Sequence, residues 1–418
     1  VDMGVALTIV VGLLGVILSV GWGPVSISLP GLPHVRIKDI PEEHRPLPSP
    51  PLEGVFKPNT ALVSATVLFN GSVPGSETVH VLPNGNLLML DKYGLAWLAK
   101  PNASAPGGYT LEPNAIAQLG PGRPLGFQLD SHGDVIVCMG TLGLVKLQLP
   151  VSCSDLDDPA TPCVPRERAQ VVLLAARVTA DSPIDAGTFV TYANDLTIAK
   201  DGRIFFSDSQ SVPVLPNYSN IRRPFYDSFT SYLQGMYAGQ ATGRLMVYHP
   251  NNGSLHVLAK GFWFPNGVAL SSDESFVAFA ETNQFRVLRY WLKGEKAGIA
   301  DILITGLPGF PDGVSKAPGA SGFWVALAAP HSGFFDIAMS TRLIRVVMAY
   351  LPAGVRPPMK KWGAVLKVSP DGEVLKFMLD PTGSHVSFIS SVEEVADDGM
   401  SRLWMGSVSN NYVVYQDL

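Results

Sequence analysis

Four short stretches in different parts of the chain each place an oxygen-bearing side chain shortly before an apolar residue. These side chains are Glu77, Asn194, Asn266 and Asp312. Burying such a polar group without a partner costs roughly 1–3 kcal/mol, so each of them needs one. Carboxylate and amide oxygens are the ligands that Ca²⁺ takes in proteins. If the strands that follow converge on one axis, the sequence predicts a calcium site made of these four residues.

The stretch around Asn266 also allows a simpler interpretation. Asn266-Gly267 is a dipeptide typical of turns, and it lies between the apolar residues 262–264 and 268–270. A plain turn is therefore an alternative to a metal ligand at this position. The recurrence of the same arrangement at the three other positions favours the calcium site.

The composition indicates a folded protein with a large core. Of the 418 residues, 46% are hydrophobic and 16% are charged, which is unlike a disordered chain. The formal net charge of −5 provides no basic surface for nucleic acid, so no nucleic-acid partner is expected. The 41 glycines and 35 prolines fit many tight turns between short strands.

The N-terminal run 3–20 carries no charged residue and is long enough to cross a bilayer as a helix. We therefore predict a transmembrane signal anchor over residues 1–22, with the membrane as a partner. A cleaved signal peptide and a buried core helix are the alternatives. Residues 23–60 are rich in proline and predict a stiff, extended linker to a body over residues 61–418.

Four Asn-X-Ser/Thr sequons lie in turn-like polar sequence of the body, where a glycan could be attached. They are at Asn70, Asn102, Asn217 and Asn252. Cys153 and Cys163 flank a short polar loop that a disulfide could close, whereas Cys138 lies in an apolar strand and is expected to be a buried free thiol. With the anchor, these features predict a single-pass type II membrane protein whose body is lumenal or extracellular.

From residue 61 onward, a turn rich in Asp, Asn and Gly followed by an apolar strand recurs six times. The strands are predicted at 87–90, 135–137, 204–206, 276–279, 323–327 and 403–406. Radial repetition of small antiparallel sheets explains this recurrence, so we predict an all-β fold, a six-bladed β-propeller. A two-domain β-sandwich is the alternative.

One segment, 334–351, has helical spacing instead of strand spacing. It predicts one helix inserted into a blade, packed over the end of the propeller or against a membrane. A buried core helix is the alternative.

Several longer stretches resemble the strictosidine synthase-like family, above all its plant members and the adipocyte plasma membrane-associated proteins. These stretches begin at Gly122, Ala193, Phe264, Tyr290 and Pro308, and the most specific of them spans 290–298. The resemblance covers nearly all of residues 61–418 and implies a six-bladed propeller.

The same resemblance extends to the paraoxonases and to the regucalcin and gluconolactonase hydrolases, which bind calcium at the propeller axis. Carried over by motif, the ligand positions of those relatives fall on Glu77, Asn194, Asn266 and Asp312 of this chain. The resemblance therefore implies the same Ca²⁺ site that the residue types predict.

Two departures from these relatives bear on the chemistry. Strictosidine synthase uses a glutamate of its last blade as the acid and base of a condensation, and alignment on residues 403–406 places Ser390 there, with Glu393 and Glu394 out of register. A serine cannot exchange protons near neutral pH as a carboxylate can. Paraoxonases have a histidine in a Pro-His-Gly motif where this chain has Leu125.

Two functions of different classes follow from these expectations. The first is a calcium-dependent, arylesterase-like hydrolase of small apolar esters or lactones, in which the ion polarises the carbonyl and Asp312 orients the attacking water. The second is a non-catalytic, membrane-tethered binding propeller with a structural calcium ion, favoured by the lack of an obvious general base near the four motifs. A condensing enzyme is the third alternative.

Overall fold

The computed structural model of the chain describes residues 27–148, 170–397 and 400–418, together with Gly15. Six antiparallel sheets follow one another along the described chain. The innermost strands of successive sheets contact each other around a common axis. This arrangement is a six-bladed β-propeller, so the predicted all-β fold is confirmed and the two-domain sandwich is wrong.

The strands are numbered along the chain, and each blade is given from the axis outwards. Before the blades lie β1 (Ser28–Leu29), β2 (Leu32–Arg36) and β3 (Thr66–Leu68). Blade 1 contains β4 (Val79–Val81), β5 (Leu87–Leu90), β6 (Leu95–Pro101) and β7 (Tyr109–Leu111), with β8 (Ala117–Gln118) also paired to β6. Blade 2 contains β9 (Pro124–Leu129), β10 (Val135–Met139), β11 (Gly143–Gln148) and β12 (Gln170–Ala175). Blade 3 contains β13 (Ala193–Ile198), β14 (Ile204–Asp208), β17 (Gly243–His249) and β18 (Ser254–Phe262), with the hairpin β15 (Leu215–Asn217) and β16 (Phe225–Asp227) inserted after β14.

The last three blades complete the ring. Blade 4 contains β19 (Pro265–Leu270), β20 (Phe276–Glu281), β21 (Arg286–Trp291) and β22 (Ala300–Thr305). Blade 5 contains β23 (Gly309–Lys316), β24 (Phe323–Pro330), β25 (Gly363–Val368) and β26 (Val374–Asp380). Blade 6 contains β27 (Ser391–Asp397), β28 (Met400–Gly406), β29 (Val413–Asp417) and, at its outer edge, β3.

The six predicted turn-and-strand units occupy one equivalent place in every blade. Each predicted apolar strand is the second strand of its blade: β5, β10, β14, β20, β24 and β28. The preceding turn follows the expected chemistry in blade 3, where Asp201 Oδ1 accepts a hydrogen bond from the Arg203 amide at 3.1 Å and Gly202 has a φ of 85°. Asp favours such turns by bonding the backbone two residues on, and glycine tolerates the positive φ. The strand prediction is therefore confirmed.

The ring is closed by strand pairing and by one buried arginine. β3, which precedes blade 1 in sequence, pairs with β29, with Leu68 opposite Val413. Arg123 Nη1 donates to the carbonyl oxygen of Gly75 at 2.9 Å, which joins blade 2 to the start of blade 1. The propeller core lies between neighbouring blades, as where Leu88 of blade 1 packs with Val137 of blade 2.

The described residues contain three α-helices instead of the single inserted helix that the sequence predicts. They are α1 (Ser228–Ala238), α2 (Gly333–Ser340) and α3 (Arg342–Tyr350). The predicted helix over 334–351 is broken because Thr341 is extended, with φ −125° and ψ 105°. α1 was not predicted, although Asp227 caps its start by accepting from the Thr230 amide and Gly239 ends it with a φ of 66°.

The described part of the predicted linker lies against the propeller. β1 and β2 form a hairpin, and Leu29, Leu32 and Ile37 are buried in the core that also contains residues of α1 and α3. Arg345 Nη2 of α3 donates to the Lys38 carbonyl oxygen at 2.7 Å. We call residues 27–40 the N-terminal strap. This part of the segment 23–60 is packed against the propeller and does not act as a spacer.

Two predictions fall on residues that the structure does not describe. They are the signal anchor over residues 1–22, of which only Gly15 is described, and the disulfide between Cys153 and Cys163. Within the described ranges, no helix combines the length and apolarity needed to cross a membrane. Cys138 is a buried free thiol, as predicted.

The four sequon asparagines differ in their accessibility. Asn70, Asn102 and Asn252 are exposed. Asn217 is half-buried, and its Nδ2 atom donates to Asp227 Oδ2 at 2.9 Å. Glycosylation stays a prediction, and three of its four sites are sterically open.

Candidate metal centre on the propeller axis

The inner strands of three successive blades bulge at the same position. In β13, β19 and β23, one extra residue interrupts the pairing with the second strand of the blade. The bulges begin at Asn194, Asn266 and Asp312, respectively. A β-bulge bends its strand and re-aims a side chain, so these three side chains leave the regular pleat at equivalent heights. Asn266-Gly267 lies inside a strand, and the plain-turn alternative is wrong.

Glycines allow the backbones that carry these residues to touch. A Cβ atom on Gly267 of β19 would lie 2.0 Å from the amide nitrogen of Val314 in β23. Glu77, two residues before β4, packs in the same way, because a Cβ atom on Gly406 of β28 would lie 1.8 Å from its carbonyl oxygen. Distances this short leave no room for any side chain. The glycines therefore set the spacing between blades 4 and 5 and between blades 6 and 1.

A serine hydroxyl fixes the orientation of the Asn194 amide. Ser209 Oγ donates to the carbonyl oxygen of Pro265 at 2.6 Å. Because a hydroxyl has a single proton, its oxygen can then only accept, and it accepts from Asn194 Nδ2 at 3.0 Å. The Oδ1 atom of Asn194 must therefore point the other way.

In the next blade, a threonine hydroxyl orients the Asn266 amide in the same way. Thr282 Oγ1 donates to the Pro311 carbonyl oxygen at 2.8 Å and accepts from Asn266 Nδ2 at 3.4 Å. Asn194 Oδ1 and Asn266 Oδ1 are buried, as is Glu77 Oε2. No hydrogen-bond donor among the described residues reaches any of these three oxygens. Buried oxygens of this kind are rare in folded proteins and call for an unseen ion or water.

Glu77 and Asp312 are buried carboxyl groups that influence each other. Burial first, and then the charge of Asp312, raise the pKa of Glu77 well above its usual value, while Arg123 lowers it. Burial and the charge of Asp195 raise the pKa of Asp312, which a hydrogen bond from Asn266 partly offsets. Both carboxyls thus hold their protons to a higher pH in the ion-free protein than in the unfolded chain, and a bound divalent cation would favour the ionised form.

These raised pKa values give the ion-free protein a definite pH dependence. A group whose pKa is higher in the folded state stabilises that state below the unfolded pKa, and this contribution is lost as the pH rises through the folded pKa. For Glu77 and Asp312 the loss begins above their ordinary range near pH 4. Bound calcium should prevent this loss of stability, because a divalent cation stabilises the ionised carboxylates.

Asp195, which follows Asn194 in the chain, ties blade 3 to blade 4. Its Oδ2 atom accepts from the Val268 amide at 3.1 Å, and its Oδ1 atom accepts from the Leu196 amide at 2.9 Å. Burial raises the pKa of Asp195 to about 7. Its oxygens are thus already engaged by the backbone, in contrast to those of Glu77 and the two amides.

The structure therefore places the four predicted ligands on the inner ends of blades 1, 3, 4 and 5. Two carboxylates and two amide oxygens form a hard-oxygen set with a formal charge of −2, which suits Ca²⁺. No group of three His, Cys, Asp or Glu side chains in the described ranges is placed to hold a metal. A metal centre here consequently depends on the two amides as much as on the carboxylates.

Aromatic residues and helices cover the axis at this end. Tyr192 and Phe264, each two residues before a predicted ligand, have ring centroids 5.4 Å apart, and Tyr232 of α1 meets Phe264 at 4.8 Å. On the blade 5 side, Phe335 of α2 lies 4.8 Å from Phe310, which also precedes a predicted ligand by two residues. We call α1, α2 and α3 the helical cap, and it lies at the predicted metal end of the propeller.

Comparison with known proteins agrees with this architecture. Residues 194–295 match the sequence model of the strictosidine synthase family. The chain is 28% identical over 405 residues to the adipocyte plasma membrane-associated protein of Bos taurus, which covers 93% of this chain and 87% of the relative. It is 31% identical over 304 residues to the strictosidine synthase-like 3 protein of Arabidopsis thaliana, covering 71% of this chain and 67% of the relative. The chain belongs to the strictosidine synthase-like family.

One solved structure is similar in its fold to this strictosidine synthase-like protein. A gluconolactonase of Xanthomonas campestris superimposes with a TM-score of 0.51 and 15% identity, covering 90% of this chain and 100% of the other. At such low identity the likeness shows the propeller fold alone.

The structure shows the surroundings of the two positions at which the resemblance implies a departure, Ser390 and Leu125. Ser390, at the position that the resemblance assigns to the glutamate of strictosidine synthase, is fully buried and accepts from the Val408 amide at 2.9 Å. Glu393 and Glu394 of β27 face neighbouring blades: Glu393 Oε2 lies 3.3 Å from His80 Nδ1 of β4, and Glu394 Oε2 lies 3.0 Å from Lys367 Nζ of β25. Leu125 begins a bulge in β9 equivalent to those of the predicted ligands, and it is the position to which the resemblance to the paraoxonases assigns a histidine.

Proposed function

We propose that this strictosidine synthase-like propeller is a calcium-dependent hydrolase of esters or lactones. The ion would be held by Glu77, Asn194, Asn266 and Asp312. The observation that carries the proposal is the set of three buried oxygens, Glu77 Oε2, Asn194 Oδ1 and Asn266 Oδ1, that no donor in the described chain reaches. The orientation of both amides by hydroxyls supports it, because it turns two oxygens away from every protein donor.

The chemistry divides between the ion and the side chains around it. A calcium ion bound there would supply the Lewis acid for a substrate carbonyl. Asp312 would accept a hydrogen bond from the attacking water and orient it toward that carbonyl. Asn194 and Asn266 are already fixed by their hydroxyl partners, so little reorganisation accompanies the reaction. Tyr192 and Phe264 offer an apolar surface for a small acyl or aryl group.

Removal of calcium tests this proposal. We expect hydrolysis of phenyl acetate or a small lactone by the purified chain to disappear after chelation with EGTA and to return when Ca²⁺, but not Mg²⁺, is restored. Calcium should stabilise the chain by about 2.7 kcal/mol at a concentration 100-fold above its dissociation constant, visible as a rise in melting temperature. Hydrolysis that persists at full rate after chelation would contradict the proposal.

The second candidate function is a non-catalytic binding propeller with a structural calcium ion. The helical cap favours it, because Tyr232 and Phe335 lie over the end of the axis where a substrate would enter. The same experiment separates the two functions. Calcium-dependent stabilisation without hydrolysis of any ester or lactone would support the binding propeller.

We also propose that residues 1–22 anchor the chain in a membrane as a type II protein with a lumenal or extracellular body. The uncharged run 3–20 supports the anchor. The exposure of Asn70, Asn102 and Asn252 supports a glycosylated body, because oligosaccharides need an open surface.

A further inference from the structure

The outer face of the helical cap is apolar. On α2, Phe334 and Ile337 are 46% and 54% exposed, and on α3 Tyr350 is 50% exposed. The opposite face of α2 buries Phe335, Ala338 and Met339 in the propeller core. Large apolar side chains side by side on exposed helices mark a surface that contacts another apolar phase.

Charged groups of the cap lie beside these apolar side chains: Arg342 at the start of α3 is 19% exposed and lies 3.8 Å from Asp39 of the segment that precedes the propeller. The only charged residue within α2 is Asp336, whose Oδ1 atom pairs with His331 Nε2 at 2.6 Å. At the same end of blade 5, directly before β25, Lys360 and Lys361 are both exposed. An apolar helical face together with lysines at the same end of the molecule is typical of proteins that lie on a bilayer with anionic headgroups.

The N-terminal strap connects this face to the uncharged run 3–20. Tyr350 Oη donates to the Ser28 carbonyl oxygen at 3.0 Å, and the Lys38 amide donates to Ala238 of α1 at 2.9 Å. The strap is thereby fixed to two helices of the cap. Position 27 follows position 20 by seven residues in the chain, so covalent geometry limits the distance between them to about 25 Å.

We propose that Phe334, Ile337 and Tyr350 rest on the surface of the lipid bilayer that residues 1–22 enter. The chain would then stand on its membrane with the helical cap down and with the predicted metal end of the axis facing the lipid. Apolar substrates or ligands dissolved in the bilayer would then approach the axis from the side of the helical cap. This orientation rests on the proposed anchor and does not depend on hydrolysis or on calcium.

A probe on the cap of the full-length chain tests the orientation. The chain is reconstituted in vesicles of phosphatidylcholine and phosphatidylserine that contain a lipid with a spin label near the headgroup. A bimane fluorophore is attached in separate variants to Ile337→Cys, Phe334→Cys and Leu375→Cys. The chain without an added cysteine is labelled in parallel and supplies the background from native cysteines.

Leu375 is the matched control because it is 50% exposed in the same blade but at the other end. Leu375 lies at the start of β26, and strand pairing across the blade places this position at the Lys316 end of β23. The cap contacts the opposite, Gly309 end of β23. The eight residues of β23 separate the two ends by roughly 25 Å.

We expect spin-labelled lipid to quench the probes at positions 337 and 334 strongly and the probe at 375 no more than the background. Equal quenching at all three positions, or none at positions 337 and 334, would overturn the orientation. Probes at 337 and 334 that are shielded from water but not quenched would show that a protein or a second copy covers the face, which also overturns it. A chain that does not associate with vesicles would overturn the anchor and the orientation together.

Discussion

Replacing Asp312 by asparagine is expected to reduce calcium-dependent ester hydrolysis by about 10²–10³-fold, the usual cost of losing one electrostatic element that stabilises a transition state. The substitution keeps the shape of the side chain but removes one of the two negative charges that face the ion. It also removes the carboxylate that would orient the attacking water. The measurement is the rate of phenyl acetate hydrolysis in saturating calcium.

Stability distinguishes this effect from simple unfolding. Because burial raises the pKa of Asp312, a neutral asparagine should leave the stability of the ion-free protein unchanged or higher at neutral pH. The rise in melting temperature on addition of calcium should be lost. Asp371→Asn, an exposed carboxylate in the turn of the same blade between β25 and β26, is the matched control and should preserve both properties. An Asp312→Asn variant with full activity would refute a catalytic role for this residue.

Replacing Gly267 by alanine is expected to lower the free energy of unfolding by about 3 kcal/mol or more, because overpacking against a rigid neighbour is among the costliest single changes. The new Cβ atom would lie 2.0 Å from the Val314 amide nitrogen and 2.5 Å from the Asp312 carbonyl oxygen. Both are backbone atoms, so no flexible side chain can move aside. Blades 4 and 5 must separate at the point where each carries a predicted ligand.

Gly354→Ala provides the control for the loss of a glycine as such. A Cβ atom there meets nothing within 4 Å, and Gly354 is exposed, so the free energy of unfolding should change by no more than about 0.5 kcal/mol. Both variants are compared by chemical denaturation with and without calcium. If Gly267→Ala is as stable as Gly354→Ala, the close approach of β19 and β23 does not exist in solution.

The blade count was predictable from sequence because one local signal marks each blade once. The hairpin turn between the first and second strands needs residues such as Asp201 and Gly202, and the second strand that follows is almost wholly buried. Counting these units therefore counts blades. The cap was less predictable: the extended backbone at Thr341 splits one helical pattern into two helices, and α1 has Gly235 in a mixed polar and apolar sequence.

The candidate site was predictable in its ligands but not in what positions them. The residue types of Asn194, Asn266 and Asp312 are visible in sequence, whereas the bulges that re-aim them arise from pairing between strands. Ser209 and Thr282 were missed, because the hydrogen bonds that define their role reach a neighbouring blade. A signal does exist: each of these hydroxyl residues directly follows an acidic residue at the end of the second strand, Asp208-Ser209 and Glu281-Thr282.

A calorimetric titration of calcium into the ion-free chain near pH 6 tests most directly whether these four side chains hold one ion. We predict one ion per chain and a release of protons, because burial raises the pKa of Glu77 and Asp312 and metal ligands must lose their protons. Thr282→Val, which cannot accept from the Asn266 amide, should weaken binding about 10–100-fold, whereas Thr282→Ser should preserve it. Absence of saturable binding, binding without proton release, or equal affinity of the valine and serine variants would contradict the calcium site.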